Sequence, residues 1–171
     1  MKLYFVIPIY IFIFILQKTI FNVISISGIT VNALLVLSMI FVYAFDEEYR
    51  DIAVSLVFAL ALDSIGSNYA GISAFSMLVV LLLILPVKTI FNNRSKRTTV
   101  LLIVLGTILY NLIYVAILDI LGVVISYTYC LEMSLWQSIL NIALGLLIYI
   151  PAIKIANRFV GRTQEERDDL I

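Results

Sequence analysis

Histidine is absent from this 171-residue chain, and cysteine occurs once, at Cys130. Together these facts remove the usual zinc and haem ligand sets and the Cys/His nucleophile pairs. A lone cysteine forms no internal disulfide, so it carries no information about redox compartment. Charged residues make up only 13% of the chain, about half the roughly 25% found in soluble domains. Paired carboxylates, a Ser/Lys dyad beside a Gly-rich turn and metal-ligand spacings are missing as well. The basic residues do not gather with aromatics on one surface, which argues against nucleic acid as a partner. The sequence therefore reads as a protein without catalytic, cofactor-binding or metal-binding residues, not as an enzyme.

What the chain has in excess is apolar length. It is 63% apolar, with mean hydropathy +1.13. Six helix-length apolar runs fill it, and nearly every Lys and Arg falls in alternate gaps between them. Ten of the eleven basic residues lie in residues 1–2, around Arg50, in 88–97 or in 154–167, and Lys18 alone breaks the pattern. The positive-inside rule then predicts an all-α membrane protein of six transmembrane helices, with both termini in the cytoplasm. Membrane-barrel strands alternate apolar and polar residues, whereas these runs are apolar on every face. Six spans of about 20 residues use nearly the whole length. Residues 1–171 thus form a single transmembrane domain, with a charged cytoplasmic tail at 157–171.

The approximate spans are 3–22, 29–45, 50–65, 72–91, 99–125 and 135–156. The first imitates a secretory signal, but no small-x-small cleavage site follows it and Gln17 and Lys18 come directly after. It reads as a retained helix, with Lys18 snorkelling to the outer headgroups. Segments 46–51 and 92–98 are the charged cytoplasmic connections, and 66–71 and 126–134 the external ones. Trp136 marks the outer end of the sixth span.

Lipid tails are as apolar as leucine, so membrane helices associate through small and polar residues. Three spans carry such stripes at helical spacing. The third has Ser55, Ala59 and Asp63. The fifth has Thr107, Asn111, Tyr114 and Leu118, with Gly122 continuing the face. The sixth has Ser138, Asn141, Gly145, Ala152 and Ala156. These three spans are expected to contact one another, or a partner, through the stripes. Asp63 lies about 16 Å along a helix that begins at Ile52, which is mid-bilayer and would make it a buried binding or interface group. A helix that begins nearer Glu48 instead puts Asp63 in the last turn, bonding the 66–71 connection. Asn111, about 18 Å beyond Thr99, is deep and requires hydrogen-bond partners. Asp119, about 30 Å along the same span, reaches the outer boundary. The candidate structural or partner-interface residues are Asp63, Gly66, Gly71, Asn111, Asn141 and Gly145.

Four segments carry a family resemblance. Leu16-Gln17 closes the first span, and Gly28-Ile29-Thr30-Val31-Asn32 opens the second. Leu60-Ala61-Leu62-Asp63 is followed by Gly66 and by Gly71-Ile72-Ser73-Ala74, and Leu109-Tyr110-Asn111-Leu112 lies in the fifth span. They resemble the MreD family, small integral membrane proteins of the bacterial cell-shape system, over most of the chain. The departures are Val31 in the place of a proline, Ala59 and Ala61 where glycines are common, and Asn111 where Glu is frequent. The resemblance implies a non-enzymatic component of the elongation machinery in the bacterial cytoplasmic (inner) membrane. Such a component would bind MreC and support lateral peptidoglycan synthesis, acting indirectly with MreB, a peptidoglycan polymerase and a penicillin-binding transpeptidase. It also implies the six-helix fold of the substrate subunits of energy-coupling-factor transporters. That fold supplies a second reading, a vitamin-capture subunit. The Ala-x-x-x-Ala docking motif usual in the first helix of such subunits is absent from residues 6–16.

Overall fold

The computed structural model describes residues 3–23, 28–45, 47–66, 69–90 and 95–168. They fold into six helices: α1 (Leu3–Val23), α2 (Ala33–Ala44), α3 (Glu48–Gly66), α4 (Ile72–Ile90), α5 (Lys96–Ile120) and α6 (Tyr127–Asp168). Among the described residues three stretches are long and apolar enough to cross a membrane, namely Ile72–Ile90, Lys96–Ile120 and Tyr127–Ala152. Shorter apolar runs occupy α1 (Val6–Phe21) and α2 (Ala33–Ala44).

The second helix is the axis of the bundle. Every residue of α2 is buried, as befits a helix that is apolar all round apart from Ser38. At 12 residues it rises only about 18 Å, short of the roughly 30 Å hydrocarbon core. The other five helices all pack on it. Around it α3 packs on α4, α4 on α5 and α5 on α6, while α1 packs on α3.

The polar stripe of α3 turns toward this axis. Ser55 is fully buried and its Oγ lies 2.7 Å from the Tyr10 hydroxyl of α1. Tyr10 also donates to Ser38 Oγ of α2 at 3.3 Å. Its ring stacks on Phe58 at 5.5 Å and meets Phe41 edge-on at 5.7 Å. An apolar body with a satisfied polar tip is the condition for burying tyrosine. Of the three striped spans expected to contact one another or a partner, the fifth and sixth pack together, Asn141 donating to Thr107, whereas α3 touches α1, α2 and α4 and reaches neither α5 nor α6. The axial α2 and the neighbouring α4 occupy the space between them.

Several boundaries also differ from the sequence reading: the second helix starts at Ala33 rather than 29, because residues 28–32 are not helical. The fifth helix closes at Ile120 rather than near 125. Gly122 takes a left-handed φ of 86°, and Val123 N–H donates back to the Leu118 carbonyl at 2.9 Å. That six-to-one bond after a left-handed glycine is a Schellman stop. The sixth helix begins at Tyr127, so most of the 126–134 connection is helical. Its backbone then stays helical for 42 residues, about 63 Å and twice the hydrocarbon thickness.

Candidate functional site

Asp63 sits in the last turn of α3 and is only 3% exposed. Its Oδ2 accepts from the backbone N–H groups of Gly71 and Ser73 at 3.0 Å each, and of Ala74 at 3.4 Å. These are the orphan donors at the start of α4. A carboxylate from the preceding helix thus performs the capping that the local sequence of α4 lacks, with its charge on the positive end of the helix dipole. Gly71 enters the helix at φ 95°, a conformation that costs glycine nothing. Of the two places open to Asp63 along its helix, the start of α3 at Glu48 selects the last turn. Gly66 closes α3, and residues 67–68 of the connection lie outside the described residues.

A second polar centre surrounds the entry to α2. Residues 28–32 are not helical, and bare backbone inside a membrane bundle requires internal partners. Carboxamide side chains supply them. Gln17 of α1 donates to the Val31 carbonyl at 2.8 Å and accepts from Ala33 N–H at 2.7 Å. Asn32 caps its own helix by accepting from Leu35 N–H at 3.2 Å. From α6, Asn141 Oδ1 accepts from Asn32 N–H at 3.0 Å and Gln137 donates to the Thr30 carbonyl at 2.9 Å. The network continues into α5. Asn141 donates to Thr107 Oγ1 at 3.0 Å, and Asn111 donates to Gln137 Oε1 at 2.7 Å and Ser134 Oγ at 3.0 Å. One connected set of amides therefore joins α1, α2, α5 and α6.

Asn111, read from the sequence as deep, and Asn141, read as part of the sixth-span stripe, both belong to this set. Gln137 was missed, although it stands one turn before Asn141 and so shares its face. Gly145 is buried where α6 passes close to α5 and α2. A Cβ there would run into the Ile103 Cδ1 methyl and lie 3.4 Å from Val36 Cγ1. Gly106, also missed, makes the matching close approach of α5 to Met39 and Val80. Ala156 carries the sixth-span stripe into a stretch whose side chains lie outside the described ones.

The opposite end of the bundle is held by charge. Lys88 of α4 donates to the Phe45 carbonyl at the end of α2 and pairs with Glu48 at 2.6 Å. A cation on the carboxyl end of a helix complements its dipole. Arg50 pairs with Glu47 and, at 2.7 Å, with the fully buried Asp51. Asp119, by contrast, is exposed, and among the described residues its carboxylate accepts one bond, of 3.3 Å, from Tyr127.

Among the described residues no three His, Cys, Asp or Glu side chains gather as a metal-ligand set. The arrangement joins helices and secures irregular backbone. A family model described as rod shape-determining protein MreD matches residues 1–159. No curated protein and no solved structure matches the chain.

Proposed function

The chain belongs to the MreD family of rod shape-determining proteins, and on that premise we propose that it acts by assembly in the bacterial cytoplasmic membrane, as a multi-pass partner of MreC that supports lateral peptidoglycan synthesis. The observation that carries this reading is the extent of the family match, residues 1–159 of 171. The polar chemistry agrees with it. The Asp63 carboxylate and the amides around α2 are spent on backbone groups and on one another, which is the work of a scaffold. MreB, a peptidoglycan polymerase and a penicillin-binding transpeptidase would be reached through MreC. The family match lends no support to the vitamin-transporter reading.

The partner claim is tested by detergent co-purification with MreC encoded by the same bacterium. A stable complex is expected, and depletion of the protein should turn rods into spheres. Recovery of the protein without MreC, in cells that keep their shape, would overturn the proposal.

Orientation is part of the same proposal. Ten of eleven basic residues lie in the segments assigned to the cytoplasm or in the last turns of the spans that enter them, an asymmetry that orients membrane helices. With Cys130 replaced by alanine, a single cysteine at Ser126 should react with an impermeant maleimide in intact cells. One at Lys96 should react only after lysis. The reverse pattern would refute the orientation.

A further inference from the structure

We propose that the bundle binds the headgroup of an anionic phospholipid, in a cavity of about 450 Å³ between α1 and α5 above the entry to α2. That volume suits a small-molecule site, about 300–1,000 Å³. Most amides around it are consumed by the fold, but four groups on its wall are not. Among the described residues Lys18 Nζ, Thr30 Oγ1, Asn111 Oδ1 and the Tyr114 hydroxyl have no hydrogen-bond partner. Both bonds of Asn111 leave from Nδ2, so its carbonyl oxygen stays open. One cation, one acceptor and two hydroxyls match a phosphate that carries a hydroxylated group. Asp63 also lines the cavity, but its Oδ2 faces three N–H groups of α4, which offset its repulsion of a phosphate.

Access and shape favour a lipid over a free anion. Among the described residues α1 touches neither α5 nor α6, so on that side the cavity lies at an open seam between helices. Lys18 stands about 23 Å along α1 from Leu3, at the headgroup depth of one membrane face. A second cavity of about 300 Å³ shares Thr30, Asn111, Tyr114 and Gln137 with the first. The rest of its wall includes Ile29, Val115, Ile125 and Met133, apolar surface that suits the start of an acyl chain. A polar chamber joined to an apolar one along an open seam fits an amphiphile.

Native mass spectrometry of the full chain, incubated with phosphatidylglycerol or with phosphatidylcholine, tests this. The wild type should retain phosphatidylglycerol in clear preference. Lys18→Gln should reduce that retention roughly tenfold, the worth of one charge-assisted hydrogen bond. Tyr114→Phe should reduce it more weakly, and Lys96→Gln, at an exposed site on the far end of α5, should not reduce it at all. Lys18 makes no bond within the described fold, so the Lys18→Gln protein should melt like the wild type. Equal retention by Lys18→Gln and wild type, or no preference between the two lipids, overturns the proposal. So does saturable binding of free glycerol phosphate as tight as that of the lipid, which would assign the cavity to a soluble anion. Loss of MreC from the Lys18→Gln protein with phosphatidylglycerol retained would assign it to the protein partner instead. The lipid-retention readouts do not require MreC to bind, so the lipid site and the shape-complex reading, on which it does not rest, fail separately.

Discussion

Replacing Asp63 with alanine is expected to destabilise the protein by about 3 kcal/mol, because it strips the acceptor from three N–H groups of the α4 entry at once. A buried donor left unpaired costs about 1–3 kcal/mol, and partial relaxation of the turn keeps the total below a simple sum. At roughly 2–4 °C per kcal/mol for a chain of this size, the midpoint in detergent should fall by about 6–12 °C. Asp63→Asn keeps an oxygen acceptor but loses the charge on the helix dipole, an interaction of about 1 kcal/mol, and should fall between. Asp119→Ala removes one long bond at an exposed site and should shift the midpoint by less than about 2 °C. Fluorescence-detected thermal melts of the three variants decide the ranking. Equal midpoints for Asp63→Ala and Asp119→Ala would show that the cap is not what secures α4.

Gln17→Leu should be comparably damaging. Its carboxamide serves two backbone groups, the Val31 carbonyl and the Ala33 N–H, on either side of the start of α2. Leucine fills similar volume but satisfies neither. A loss of about 2–4 kcal/mol follows from two unpaired groups. Asn141→Leu should cost a similar amount, since it abandons Asn32 N–H and Thr107. The two amides hold adjacent residues of the same strand of backbone, so the double variant should lose less than the sum of the singles. Additive losses in the double-mutant cycle would mean that the two amides act as separate contacts rather than as one hub.

The asymmetry between these sites explains what was legible beforehand. The helical class and the six apolar runs follow from composition and period, because a chain 63% apolar has few other ways to satisfy its backbone in a bilayer. The short segments around Gln17, Asn32, Asp63 and Tyr110 were enough to suggest the family that matches residues 1–159. The place of Asp63 along its helix was ambiguous by one turn, and only the start of α3 at Glu48 resolved it. The same holds for α6, since helix propensity does not distinguish a polar outer turn from a polar loop.

Sequence by itself determined that this protein is a bundle of apolar helices and which residues carry uncommon polarity within it. Period and charge are local properties, readable one segment at a time. The tertiary structure alone decided which helix is central, that α3 turns its stripe toward α1, α2 and α4, and that Gln137 belongs with Gln17 and Asn141. Partner choice among helices with near-uniform apolar surfaces depends on a few amide bonds and glycine contacts between residues as far apart as Asn32 and Asn141. Hydrophobicity gives lipid-facing and protein-facing leucines the same weight, so those few contacts set the arrangement.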